Sequence, residues 1–415
     1  MATVVLLGTL DTKGIEYEYV RKRVQAEGCD TVLIDAGILG TPLTQPDISR
    51  EAVAQAAGVD FAKLVEAKDR GASVEAMARG AEKIVQDLYA KGQLQGIFGV
   101  GGSGNTTIVT QAMRVLPVGV PKLVVSTVAS GDTRPYVGAT DITMMYSVVD
   151  ISGINSISEK ILTNAAAAIA GMARANENFK ASTGSKPLVG ATMFGVTTPA
   201  VTEARNLLEA QGYEVLVFHA TGTGGQSMEA LVNGGFLTGV LDLTTTELAD
   251  ELVGGVLSAG PDRLEAAGNQ GLPQVVSLGA LDMVNFGPIE TVPEKFQQRK
   301  LYKHNATVTL MRTTPEENAQ LGEIIARKLN QAKGPVTLFI PLKGVSMIAT
   351  EGSAFYDAEA DKALIDALKK KLNSNVEMRE LDMDINDPRF AQAMTDRLHE
   401  YIRAAAPQTS STGGN

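Results

Sequence analysis

Residues 3–36 read TVVLLGTLDTKGIEYEYVRKRVQAEGCDTVLIDA, and the fold is decided in this stretch. TVVLLG from Thr3 and TVLIDA from Thr31 are short runs rich in Val, Ile and Leu, as expected of parallel strands buried on both faces. Between them Ile15, Tyr19, Val20 and Val24 recur at helical spacing, which predicts one apolar helix face, and Gly28 supplies the stop. Strand, helix and strand in this order predict a βαβ unit.

Working outward, QGIFGV from Gln95 and KLVVST from Lys122 repeat the strand pattern. Residues 45–92 exceed a plain crossover and carry two helical stretches, SREAVAQAAG and SVEAMARGAEKIVQDLYAKG, with Ser49 and Ser73 as predicted caps. NENFKASTGSKP, residues 176–187, is polar and rich in Ser, Gly and Pro, so it reads as a linker with a boundary near residue 181. The alternation then restarts with PLVGATM, YEVLVFHA, LTGVLDL, PQVVSLGA, TVTLMR, PVTLFI and NVEMREL. Phe390, Met394, Leu398 and Ile402 mark a last helix, and the tail PQTSSTGGN from residue 407 is predicted to be disordered. No longer period recurs. The fold class is therefore α/β: two Rossmann-like doubly wound domains with mainly parallel sheets, residues 1–180 and 181–415.

A chain of 415 residues is too long for one typical core. Thirty-seven basic against 47 acidic residues give a formal charge of −10 without a Lys/Arg block, which argues against nucleic acid as a partner. Cys29 is the only cysteine, so no intrachain disulfide forms, and His219, His304 and His399 are scattered without zinc-ligand spacing. The N-terminal apolar run is short and has no basic flank, and ILTNAAAAIAGMA is interrupted by Thr163 and Asn164. These features predict no membrane partner and a cytoplasmic location.

GIFGVGGSGNTTIVTQAM, residues 96–113, fits two nucleotide motifs at once. Gly99, Gly101 and Gly104 match G-x-G-x-x-G; Gly99, Gly104 and Thr106 match the P-loop spacing, with Asn105 in the place of lysine. The loop follows the third strand, and the next strand ends VVSTVASG without a ribose acid. Neither motif is complete. The first βα turn, GTLDTKG, has what this loop lacks: the Lys13 cation, the Thr9 and Thr12 hydroxyls, and Asp11 for a ribose or a Mg²⁺-bound water. Asp35 in LIDAG takes the place of the ribose acid, and STVASGD adds Ser126 and Thr127. In a parallel sheet these loops share the carboxyl edge, where exposed N–H groups bind anions. The predicted composite phosphate site comprises Gly8, Thr9, Asp11, Thr12, Lys13, Gly14, Asp35, Gly101, Gly102, Ser103, Gly104, Asn105, Thr106, Ser126 and Thr127, and its ligand is a mononucleotide.

The second half carries its own polar strand ends. FHATGTGGQSME places His219 before a second Thr/Gly loop that reads as an anion cradle, and LDLTTTELAD adds Asp242 and Glu247. GALDMVNFG adds Asp282 and Asn285; His304, Asn305, Arg312, Lys343 and Ser346 follow, while His399 on the last helix reads as a solvated surface residue. His219 and Asp282 are the candidate catalytic acid/base groups for a small acidic metabolite. The G-x-S-x-G elbow is absent.

GTLDTKG, GVGGSGNT, STVASGDT, YSVVDISGIN, FHATGTGG, LDLTTTELAD, GALDMVNFG and IPLKGVS, in this order and over nearly the whole chain, closely resemble the Tm-one-like ATP-binding family. That family is typified by the N-terminal region of the tomato mosaic virus resistance protein, and its bacterial members are mostly of uncharacterised function. The resemblance implies two Rossmann-like domains, ATP in the N-terminal one and a homodimer. It carries the nucleotide role onto Thr9, Asp11, Thr12, Lys13, Gly102, Ser103, Asn105, Thr106, Ser126 and Thr127. Longer plant and fungal relatives add a barrel domain, whose chemistry is expected here from a separate protein or not at all. YSVVDISGIN is the candidate dimer contact. The expected function is that of an ATP-binding protein. The alternatives are a hydrolase or lyase of a small oxo acid or sugar acid, and a non-catalytic ATP-regulated binding module.

Overall fold

The structure is a computed structural model that describes residues 1–179 and 186–405. The centre of the linker reading, residues 180–185, and the tail from residue 407 lie outside the described residues. The chain divides into two compact units, Met1–Ser182 and Thr183–Asn415.

In the first unit β1 (Thr3–Gly8), β2 (Asp30–Asp35), β3 (Gly96–Gly101), β4 (Lys122–Ser126) and β5 (Thr143–Tyr146) form one parallel sheet in the order β2-β1-β3-β4-β5. Alternate residues of β1 serve opposite faces. Val4 and Leu6 pack under helices Leu10–Ala26 and Ser156–Glu177, whereas Val5 and Leu7 pack under helices Arg50–Ala56, Arg70–Ala90 and Ser103–Arg114. This is the doubly wound arrangement, and its order reverses between β1 and β3, where such sheets open a crevice for ligands.

Two local readings need correction. The buried face of helix Leu10–Ala26 is Leu10, Tyr17, Val20 and Val24, while Ile15 is 53% exposed. At about 100° per residue Ile15 stands some 200° around the helix from Tyr17, so the two cannot share a face. Ser49 does cap its helix, accepting from Ala52 N, but Ser73 lies inside helix Arg70–Ala90. Asp69 caps that helix by accepting from Ala72 N at 3.0 Å, which places Arg70 in its first turn.

The second unit contains β6 (Leu188–Met193), β7 (Glu214–His219), β8 (Gly239–Thr244), β9 (Gln274–Gly279), β10 (Met283–Phe286), β11 (Leu301–Lys303), β12 (Thr309–Arg312), β13 (Val336–Pro341) and β14 (Glu377–Leu381). Six of them form a parallel sheet, β14-β13-β9-β8-β6-β7, which repeats the order of the first unit with one strand more. TVTLMR becomes β12 of a separate antiparallel sheet, β10-β12-β11. Its strand-like composition is compatible with either kind of sheet; the hairpin from β11 selects the antiparallel one. Among the described residues no helix is long and apolar enough to cross a membrane, and no group of three or more His, Cys, Asp or Glu is placed to hold a metal ion.

Candidate functional site

At the carboxyl ends of β1 and β3 the first unit encloses a cavity of about 310 Å³. Thr9, Asp11, Thr12 and Lys13 line it from the start of helix Leu10–Ala26, and Gly102, Ser103, Gly104 and Asn105 from the start of helix Ser103–Arg114. The opposite wall was not foreseen. It comprises Ile38 and Leu39 after β2, then Arg70, Ser73, Val74 and Met77 along one face of helix Arg70–Ala90, with Ala36, Ile108 and Asp150 completing the lining. A stripe that runs from charged to apolar at helical spacing was the signal available for it.

Helix Ser103–Arg114 begins at Gly102, which has no side chain to cap it. The N–H groups of Ser103, Gly104 and Asn105 have no intrahelical acceptor and stand at the positive end of the helix dipole. The Arg70 side chain makes no ion pair or hydrogen bond among the described residues, and its Nη2 lies 3.6 Å from where a Cβ on Gly104 would be. Lys13 Nζ donates to the carbonyl of Ile151, leaving its other N–H donors for a ligand. The Thr9 and Thr12 hydroxyls are 3.0 Å apart and exposed. Asp11 is held by the loop after β2: its Oδ2 accepts from Leu39 N at 2.6 Å, while its buried Oδ1 has no partner.

Asn105 acts as a brace. Its Oδ1 accepts from Thr9 N at 3.1 Å, and its Nδ2 donates to Val100 O at 2.7 Å and to the Tyr17 hydroxyl at 3.0 Å. The first and third strand ends are thereby tied together, and Gly8 has no Cβ because Tyr17 occupies that space. Other predicted positions lie behind the cavity wall. Thr106 Oγ1 and Ser126 Oγ are buried and bonded to each other at 2.7 Å, Gly14 packs on Leu43, and Gly101 backs onto Asn105. Thr127 is half-buried, and its N–H donates to Gly101 O at 3.3 Å.

Asp35 does not reach the cavity, contrary to the ribose-acid expectation. It is fully buried, and its Oδ1 accepts from Leu10 N at 3.1 Å and Gly37 N at 2.8 Å. It therefore caps helix Leu10–Ala26, for which Thr9 supplies no side-chain bond. Burial raises its pKa despite those two hydrogen bonds.

In the second unit the predicted anion cradle is filled from within. Gly222 N and Gly225 N, at the start of helix Thr223–Asn233, both donate to Glu247 Oε1, at 2.7 and 3.1 Å. Glu247 Oε2 accepts from Arg263 Nε at 2.7 Å, and Arg263 grips Asp242 with two further bonds of 2.5 and 2.6 Å. All three side chains are buried. His219 ends the edge strand β7 and is exposed, its ring 5.5 Å from that of Phe194. Asp282 follows β9, three strands away, so strand spacing alone separates the pair by roughly 14 Å. Asp282 is buried and accepts from Ser346 Oγ at 2.8 Å; burial pushes its pKa up to about 6. Asn285 bonds Asp250 and Lys343 pairs with Asp382, whereas Arg312, paired with Asp361, also acts on Asp282, so Asp282, Ser346 and Arg312 form a buried cluster that His219 does not join. His304 and Asn305 lie in the exposed turn between β11 and β12. His399 is not free in solvent: its Nδ1 is 2.8 Å from the Tyr213 hydroxyl.

The family models agree with this division. The N-terminal domain of "Uncharacterised protein family (UPF0261)" matches residues 2–178 and its C-terminal domain residues 186–402. A UPF0261 protein of Clostridium tetani is 56% identical over 396 residues, covering 95% of this chain and 98% of the relative. A UPF0261 protein of Rhizobium meliloti is 48% identical, with 95% and 97% covered. The ToMV resistance protein Tm-1 of Solanum lycopersicum is 47% identical over 336 residues, 80% of this chain but 45% of the tomato protein. The chain belongs to the UPF0261 family, of which the tomato Tm-1 proteins are homologues.

Proposed function

We propose that the N-terminal unit binds ATP in the crevice between β1 and β3. The observation that carries this reading is the uncapped first turn of helix Ser103–Arg114, whose amides line a cavity that Arg70 and Lys13 also border. Backbone donors at a helix start, two cations and nearby hydroxyls are the chemistry of phosphate recognition. The apolar side of the cavity, Val74, Met77 and Ile108, suits a base or sugar face. Mg²⁺ arriving with the phosphates would find the Asp150 carboxylate among the lining residues. The separation of His219 from Asp282 gives the hydrolase or lyase reading no support, so binding rather than acid/base turnover is the activity we assign.

The test is a substitution that closes the site. Gly102 has φ −81°, open to any residue, and a Cβ there would meet only Thr127 Oγ1, at 3.8 Å. In Gly102→Asp the new carboxylate caps the helix and takes the place of the phosphate. Calorimetric titration with ATP should show binding to the wild type and a loss of at least about tenfold in the variant, whose stability should rise by a few tenths of a kcal/mol. Wild-type protein that ignores ATP, or a capped variant that binds it equally well, refutes the assignment.

A further inference from the structure

We infer that Arg70 is the specificity-determining residue that reads the terminal phosphate, so that a nucleoside triphosphate is preferred over a monophosphate; the inference rests on the nucleotide reading above. Arg70 opens helix Arg70–Ala90, in the long crossover between β2 and β3, and belongs to neither glycine loop. Its guanidinium has no partner among the described residues, and the neighbouring Asp69 turns one carboxylate oxygen to Ala72 N rather than pairing with it. Lys13, the other cation of the cavity, is engaged by the Ile151 carbonyl. Arg70 is therefore the cation on this wall with all of its donors uncommitted.

Two elements give the cavity a direction. Along helix Arg70–Ala90 the lining runs from exposed Arg70 through Val74 to Met77, which is wholly buried. Along helix Ser103–Arg114 it runs from Ser103 and Gly104 to buried Ile108. The polar ends of both helices meet where Arg70 Nη2 approaches Gly104. A ligand with its apolar body against Met77 and Ile108 directs its phosphate chain toward this exposed end, so that the outermost phosphate of a longer chain is the one that comes to stand between the first-turn amides and Arg70. There the planar guanidinium fork can engage two oxygens of a terminal phosphate through parallel hydrogen bonds, a fixed geometry that an ammonium does not offer.

The experiment is calorimetric titration of ATP, ADP and AMP into the full chain, as wild type, Arg70→Ala and Arg70→Lys. Arg70→Ala should weaken ATP about tenfold and leave AMP within about twofold, with Arg70→Lys in between because it keeps the charge and loses the fork. Thermal melting should be the same in all three, since the side chain bonds nothing in the fold. An unchanged ATP-to-AMP ratio in Arg70→Ala, whether through equal weakening or none, overturns the role of Arg70 while the nucleotide reading stands. A wild type that binds none of the three overturns both.

Discussion

Asn105 is 6% exposed and uses its amide three times, on Thr9, Val100 and Tyr17. A P-loop lysine in this position would have to leave that buried setting to reach a phosphate, stripping donors from Val100 O and an acceptor from Thr9 N. Asn105→Lys should therefore lower both stability, by about 2 kcal/mol, and ATP affinity, because buried polar groups left unpaired cost about 1–3 kcal/mol each. Urea unfolding and calorimetry check this; a lysine variant that binds ATP more tightly would show that the loop is a latent P-loop. The motif in the sequence located the loop correctly but concealed the task of this side chain, since the partners of Asn105 come from residues 5 to 96 positions away. Arg70 was concealed for a related reason: the charged-to-apolar stripe on its helix marks a face, and only the fold shows that the face borders the cavity.

The same limit applies to whole elements. Helices Ser103–Arg114 and Thr223–Asn233 both start from a glycine with small polar neighbours, and in sequence both read as anion cradles. One is open and the other closed, because Glu247, 22 to 25 residues downstream, docks on the second. Strand positions were legible because short Val/Ile/Leu runs have few other uses; β5, whose residues are exposed or half-buried, lacked that signature. A Cβ on Gly225 would collide with Glu247 Oε2 and Arg263 Nε. Gly225→Ala should consequently destabilise the protein by about 2 kcal/mol or more, the cost of overpacking plus a strained buried ion pair. Denaturant titration measures it, and a neutral result would mean that the cluster yields easily.

At the scale of the molecule, acids buried in the second unit shape the response to pH. Burial pushes Asp250 up to about 7 against hydrogen bonds from Asn285 and Leu257. The unfolded chain releases this proton near pH 4, so between roughly pH 4 and 7 the folded state holds more protons and loses stability as pH rises. Asp250→Asn removes the titration, and its amide can donate to Asn285 Oδ1, which otherwise lacks a partner, once Asn285 turns over. Relative to the variant, wild type should lose about 1.4 kcal/mol per pH unit across that window, measured by urea unfolding at several pH values. Parallel pH profiles would contradict it. Both units share one strand order, yet that common plan does not transmit a common chemistry. The Arg263 cluster adds a constraint in time: its carboxylates arrive on β8 and on helix Glu247–Val253, and either one dried ahead of the guanidinium would be a stranded charge. The cost of such a stranded charge is smallest when the guanidinium and both carboxylates lose their water together, so the cluster is expected to close in one step rather than pair by pair.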